Sequence, residues 1–387
     1  MHLDPALPLF ALVVVVMLLS SLLLRSLKQP DAIAHILAGA AIGPWGMGLL
    51  TDVEDIERLG GIGIILLLFF VGMEISPHAF IKSWKISVLG TLLQIAASVG
   101  CALGLGAWFG WAFPRSLLVG FVISLSSTAV VLKLLEDRNE AGTDTGRDAL
   151  GILLAQDILV VPMLMILAAM SGEEGSTIAQ IAKQSLGVLL LSGIVGGILY
   201  AERVQLPFIT RLREDYELQV FGSLLICFGF ATITGFLELS SALGGFVAGM
   251  VVGAARETHW VHHSLHPFRV VFVSLFFLSV GMLVDLPFLQ NNLGVILSIV
   301  GAAMVTNTLI NALVIRGLGG TWRRSLYTGA VLAQIGEFGF VLVAMGKAGH
   351  IVSVYGYQLV LCAISVSLMV SPLWMQTMHL LVRTPKP

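Results

Sequence analysis

Leu150-Gly-Ile-Leu-Leu-Ala-Gln156-Asp157-Ile-Leu-Val-Val-Pro162 is the stretch on which the reading of this chain turns. Asp157 stands about half-way along an apolar run long enough to cross a bilayer. A carboxylate at that depth costs about 2.5 kcal/mol or more, and the cost is recovered only where the group faces protein, water or an ion. The run therefore reads as a membrane span built around a cation or proton site.

The rest of the chain supports a lipid solvent. Of 387 residues, 57% are hydrophobic and 11% charged, and the mean hydropathy is +0.95. Soluble domains carry about 25% charged residues, so these charges are too few to cover a soluble surface of this size. The net charge of −2, with no basic tract, gives no reason to expect a nucleic-acid partner. Cys101, Cys227 and Cys362 all lie in apolar runs and suggest neither a disulfide framework nor a metal motif. The N-terminus lacks the positive region of a signal peptide, so the first apolar run reads as a true span.

Hydropathy places thirteen spans at about 6–24, 32–50, 59–76, 86–110, 116–136, 148–171, 179–201, 218–237, 240–255, 268–285, 293–315, 325–346 and 356–382. With the N-terminus outside, the inner loops and tail hold 17 of the 21 lysines and arginines. That bias favours an outer N-terminus and a cytoplasmic C-terminus. The chain also echoes itself. Leu68-Phe-Phe-Val-Gly-Met-Glu-Ile-Ser76 resembles Leu275-Phe-Phe-Leu-Ser-Val-Gly-Met-Leu-Val-Asp285, an offset of 207, and Gly39 matches Gly245 at 206, Gly120 matches Gly329 at 209 and Pro162 matches Pro372 at 210. The first six spans then repeat as the last six, and a spacing of seven spans inverts the second copy. Inverted repeats with a midplane site are an architecture of secondary transporters. The position matching Asp157 is Val366 or Ser367, so one ion site per chain is expected.

Two segments interrupt the apolar pattern at matching places. Span five contains Ser124-Leu-Ser126-Ser127-Thr128, and span twelve contains Gln334-Ile-Gly336-Glu337-Phe338-Gly339. Polar, glycine-bearing backbone at membrane depth is tolerated where a helix unwinds beside a cavity. The unwound ends present partial charges to an ion or a charged side chain. The bland alternative for the serines and threonine is back-bonding to the preceding turn.

Taken together, Gln156-Asp157, Ser124-Leu-Ser-Ser-Thr-Ala129, Ala41-Ile-Gly-Pro-Trp-Gly46, Phe70-Val-Gly-Met-Glu74 and Gln334-Ile-Gly-Glu-Phe-Gly339 resemble the Kef-type branch of the monovalent cation:proton antiporters, whose potassium efflux systems are glutathione-gated. The likeness runs from about residue 9 to residue 380. It implies an all-α integral membrane protein of the sodium/proton antiporter-like fold, with thirteen transmembrane helices and broken helices crossing. It implies a homodimer with a dimerisation part at about 1–85 and 218–290, an ion-carrying core at about 86–171 and 293–382, and a linker helix at about 179–201. Asp157 would carry ion and proton in turn, and Gln156, in place of a second acid, implies electroneutral exchange. Potassium is expected over sodium, with no cofactor beyond the transported K⁺ or Na⁺ and H⁺, and no enzymatic activity. The expected location is the plasma membrane, as a bacterial inner-membrane protein.

Three departures follow the same alignment. Aligned on Leu313-Val-Ile-Arg316, Asn307 replaces a family lysine and offers an amide oxygen to the ion or to Asp157. His259-Trp-Val-His262-His263-Ser-Leu-His266 replaces an acidic cytoplasmic loop. The sequence ends at Pro387 without the family's soluble regulatory domain, so a regulatory domain or subunit on the cytoplasmic side is kept as a partner.

The expected ion and proton site comprises Asp157, Gln156, Ser126, Ser127, Thr128, Asn307 and Glu337. Glu337 is open between tying the broken helix together and relaying protons. His259, His262, His263 and His266 would share one helical face and are read either as a pH sensor, a metal site or a solvated interfacial segment. Glu74 is either a vestibule acid or a partner of Lys82 and Lys85. Two other functions stay open: a gated channel-like potassium efflux pathway, and a transport-inactive sensory membrane subunit.

Overall fold

The computed structural model describes residues 6–26, 29–74, 85–170, 215–237, 239, 241–254 and 259–382, with scattered positions between 183 and 197. The expected linker span at 179–201 therefore lies largely outside the described residues. Fifteen α-helices are used here: α1 (Ala6–Ser26), α2 (Asp31–Ile42), α3 (Val53–Glu74), α4 (Thr91–Phe109), α5 (Phe113–Ser124), α6 (Thr128–Asp137), α7 (Asp144–Met170), α8 (Tyr216–Phe236), α9 (Ser241–Ala254), α10 (His259–Met282), α11 (Leu286–Asn291), α12 (Leu293–Gly317), α13 (Trp322–Val331), α14 (Phe338–Ala348) and α15 (Val354–Val382). A single π-turn, Lys85–Gly90, leads into α4. Six helices among the described residues are long and apolar enough to cross a membrane, and six more are apolar but shorter.

The expectation of broken helices holds in both places. Span five divides into α5 and α6 at residues 125–127, and span twelve divides into α13 and α14 at 332–337. These breaks turn single predicted spans into half-helices too short to cross a bilayer alone. Pro162 and Pro372 sit inside α7 and α15 at equivalent places.

The chain divides into two compact units. The first comprises Met1–Gly60, Ser83–Gln156 and Phe277–Pro387, and the second Gly61–Lys82 and Asp157–Phe276. In the first unit α4 packs on α5 and α12 on α13, the same helix pair in each repeat, while α14 packs on both α5 and α15. In the second unit α8 packs on α9, and a core forms around Leu66, Phe69, Phe70, Cys227, Ala248 and Val252. The helices of that core are apolar on nearly every face, as expected of helices sharing lipid and protein neighbours.

Glycine contacts fix the repeat register and correct part of the sequence alignment. In the first unit Gly39 of α2 and Gly43, its C-cap, rest on the α10 backbone at Leu278 and Met282, leaving no room for a Cβ. In the second unit Gly249 and Gly253 of α9 rest on the α3 backbone at Phe69 and Met73 in the same way. Gly39 thus pairs with Gly249, one helical turn beyond Gly245, and Phe69 pairs with Leu278. The offsets become 209 and 210 throughout, replacing 206 and 207. Gly120 on Val99 and Gly329 on Thr308 repeat the relation at 209. Small residues of this kind let membrane helices approach closely.

Candidate functional site

The two breaks of the first unit meet. The Gly336 N–H donates to the Leu125 carbonyl at 2.7 Å, and the Ser126 hydroxyl donates to the Leu332 carbonyl at 2.7 Å. Gly336 is required at this crossing, because an added Cβ would collide with the Ser126 carbonyl. Leu125 is extended, with φ −92° and ψ 132°, which ends α5 and frees its last carbonyls. Ser127 accepts from the Val130 N–H at 3.2 Å and so caps the start of α6, which Thr128 opens.

Gln156, from α7, ties the first break on both sides. Its Oε1 accepts from the Ser126 N–H at 2.9 Å, and its Nε2 donates to the Ser124 carbonyl at 2.9 Å and to Gln94 Oε1 at 3.1 Å. Gln94 Nε2 donates to the same Ser124 carbonyl at 2.8 Å. Asn307, from α12, ties both breaks together. Its Nδ2 donates to the Ile123 carbonyl at 2.8 Å and to the Ala333 carbonyl at 3.1 Å. Ser367 Oγ, from α15, accepts from the Ile335 N–H at 3.2 Å. Apart from the Gln156–Gln94 bond, each satisfies a backbone group at a break, which is obligatory away from water.

The expected residues are distributed as follows. Ser126, Ser127, Gln156 and Asn307 come together at the crossing, and all four are buried. Glu337 is buried at the N-terminal boundary of α14. Asp157 is the next residue of α7 after Gln156, 5% exposed, and it begins the second unit. Glu74 is the last residue of α3, and its side chain lies outside the described ones. His259, His262, His263 and His266 fall in the first turns of α10; their side chains also lie outside the described ones. The backbone there is helical, as the shared face of the four histidines supposes.

Sequence reasoning missed Gln94, Gln334 and Ser367. Gln94 carries a usable signal, since it is the one amide side chain in Thr91-Leu-Leu-Gln94-Ile-Ala-Ala. Ser367 was marked as the repeat partner of Asp157 without a role. A polar group at one end of the first unit was also missed. Arg324 makes a two-pronged pair with Asp148 at 2.5 Å on each arm. Beside it the Tyr327 hydroxyl donates to Glu140 at 2.7 Å, with His379 Nδ1 4.0 Å from the other carboxylate oxygen. These pairs fasten the loop between α6 and α7, and the start of α7, to α13.

The arrangement as a whole has known counterparts. Residues 12–379 match the family described as "Sodium/hydrogen exchanger, transmembrane". The fold matches the solved structure of the sodium proton antiporter MjNhaP1 from Methanocaldococcus jannaschii with a TM-score of 0.66, over 97% of this chain and 98% of that one, at 15% identity. The chain is 37% identical to "Iron transporter MagA" of Paramagnetospirillum magneticum, over 97% of its own length and 86% of that protein. It is 30% identical to "K(+) efflux antiporter 5" of Arabidopsis thaliana, over 93% of its own length and 64% of that protein. It spans under two thirds of the length of the plant potassium antiporters it matches.

Proposed function

The chain belongs to the transmembrane sodium/hydrogen exchanger family, whose members and structural neighbours are membrane antiporters rather than enzymes, and from that premise we propose that it exchanges a monovalent cation for a proton, with Asp157 as the carrier carboxylate. The observation that carries this reading is the place of Asp157. It is buried in α7 directly after the glutamine that fastens the first broken helix. A carboxylate buried in a membrane span needs a positive partner, and a proton or a monovalent cation can each fill that place in turn. Either tenant leaves the same net charge, which makes one-for-one exchange electroneutral. Potassium is proposed over sodium on the names of the potassium antiporters it resembles.

The rest of the proposal follows the same premise. Ser126, Ser127, Thr128, Gln156, Asn307 and Glu337 take part with it in handling the ion and the proton. The protein works by alternating access as a homodimer in a bacterial inner membrane, with the N-terminus outside. Its dimerising part is about 1–85 and 218–290, and its moving core about 86–171 and 293–382. Glu74 is proposed as either a vestibule acid or a partner of Lys82 and Lys85, and the α10 histidines as either a cytoplasmic pH sensor, a metal site or a solvated interfacial stretch.

The test is exchange in proteoliposomes, followed by dequenching of a pH dye on addition of K⁺, Na⁺, Rb⁺ or Li⁺. Wild type dissipates the proton gradient with K⁺ in preference to Na⁺, and Asp157→Asn does not. Cation-dependent dequenching retained in Asp157→Asn would remove the carrier assignment. A second reading, iron transport, rests on the 37% identity to MagA. Among the described residues no group of three His, Cys, Asp or Glu gathers to hold a metal. Including Fe²⁺ in the same assay decides between them.

A further inference from the structure

Gln334 lies in the second break and is fully buried, and neither its Oε1 nor its Nε2 has a hydrogen-bond partner. The backbone around it is tied on every side. The Leu332 carbonyl accepts from Ser126, the Ala333 carbonyl accepts from Asn307, the Ile335 N–H donates to Ser367, and the Gly336 N–H donates to Leu125. The break is thus well satisfied, and its one glutamine is the exception. A buried amide without partners is unfavourable, and such groups in native structures mark a place where an ion or water makes the missing bonds.

Asn307 has the same character on one side. Its Nδ2 is spent on two carbonyls, and its Oδ1 is buried with no partner. The carbonyls it holds are Ile123, in the last turn of α5, and Ala333, two residues past the end of α13. Two helix C-termini, each bearing negative partial charge, therefore converge on one side chain. The field there favours a cation. The Ala333 carbonyl that Asn307 holds belongs to the residue next to Gln334 in the chain, so both amides belong to the neighbourhood of the second break.

We propose that the side-chain amides of Gln334 and Asn307 form the neutral part of the cation site, their two oxygens coordinating a monovalent cation while the Gln334 N–H₂ donates to a water in its shell. The assignment rests on the reading that this chain transports a monovalent cation, and it makes Gln334 a selectivity-determining ligand. Neutral amide oxygens suit an ion of single charge; a divalent ion in an all-oxygen site draws on carboxylates.

The test measures binding directly. Purified protein in detergent is melted in KCl, RbCl, NaCl and choline chloride, and the same proteins are assayed in proteoliposomes. In wild type, the favoured cation raises the melting temperature above that in choline. In Gln334→Met, an apolar side chain of similar length, that rise is lost and the cation KM increases about tenfold or more. A cation-dependent rise equal to wild type in Gln334→Met overturns the assignment, and reveals a water-filled structural position only. If Gln334→Met does not fold, Gln334→Asn replaces it: a changed order of preference among K⁺, Rb⁺ and Na⁺ supports the assignment, and an unchanged order overturns it. Asp157→Asn separates this proposal from the one beneath it. Loss of exchange there with normal cation affinity in Gln334→Met sinks Gln334 and leaves the carrier. Normal exchange in Asp157→Asn sinks the carrier, and the melting measurement still decides Gln334.

Discussion

The two breaks release the same backbone groups and satisfy them with different side chains. Ser124 and Ala333 are 209 residues apart, as are Ser126 and Ile335, and in each break the first carbonyl and the following N–H are the groups tied. In the first break one residue, Gln156, does both tasks, helped by Gln94 at the carbonyl. In the second break the tasks fall to two residues, Asn307 and Ser367. At the offset of 210 that relates Pro162 to Pro372, the mate of Ser367 is Asp157. The second repeat spends this position on its scaffold. The first repeat moves the scaffold task one residue back, to Gln156, and places an acid where the tie would be. On the proposed carrier role of Asp157, a position becomes free for transport when a neighbouring side chain takes over the structural duty of a symmetric one.

The sharpest way to break this comparison is to erase it. Asp157→Ser copies the second repeat into the first. Gln156 still holds the break in that variant, so the protein should fold and purify normally, yet exchange in proteoliposomes should fall to the level of empty liposomes. Exchange that survived would mean the asymmetry has no bearing on transport. The converse change, Gln156→Leu, attacks the scaffold and spares the acid. It leaves the Ser126 N–H and the Gln94 amide oxygen buried without Gln156, and unmade buried bonds of this kind cost about 1–3 kcal/mol each. The expected loss is about 2–4 kcal/mol of stability, read as a lower melting temperature in detergent. A variant as stable as wild type would show that Gln156 is not what holds the break.

The half-helices leading into the breaks differ as well. Arg115 and Arg324 are equivalent at 209. Arg324 is paired with Asp148, which is 7% exposed, whereas the Arg115 guanidinium lies over the Trp111 ring at 4.8 Å. Removing one partner of a buried pair costs about 3–5 kcal/mol. Arg324 is itself partly exposed, so Arg324→Ala should cost less, about 2 kcal/mol, with solvent screening part of the loss. Arg115→Ala should cost about 0.5–1 kcal/mol. Equal melting temperatures for the two variants would show that the first repeat has an anchor of its own elsewhere.

Most of the architecture was legible because polar residues are rare in this chain. Ser124–Thr128 and Gln334–Gly339 stand out against apolar text, and the structure unwinds the helix at both. The register was less legible. Glycines and Leu-Phe-Phe runs recur every few residues, so a slip of one helical turn hardly changes the match, and only the contacts of Gly39, Gly43, Gly249 and Gly253 fix it. Of the site, Ser126 and Gln156 were found as polar residues at membrane depth and Asn307 through the family resemblance, but their role as ties to released backbone was not. That role depends on which carbonyls and N–H groups the breaks free, and the sequence does not carry the crossing. Gln94 and Ser367 were passed over for the same reason: each matters through one backbone group on another helix.

The smallest expected difference lies inside the breaks themselves, at the equivalent pair Ser127 and Gly336. Ser127 has room for its side chain and uses it, accepting from the Val130 N–H to cap α6. Gly336 has no room, because the Ser126 carbonyl and the Ser127 nitrogen occupy the place of its Cβ. Ser127→Ala should therefore cost about 1 kcal/mol, the ordinary loss of an N-cap. Gly336→Ala forces the crossing apart and should cost about 1–3 kcal/mol, in the range of overpacked cores. Both are measured as melting temperatures, with Ser127→Gly as a third point. Since glycine is a tolerable N-cap, Ser127→Gly should fall within a few tenths of a kcal/mol of wild type. If instead Ser127→Gly lost as much as Gly336→Ala, the two positions would share a burden that their contacts do not show, and the division between a capped break and a packed one would fail.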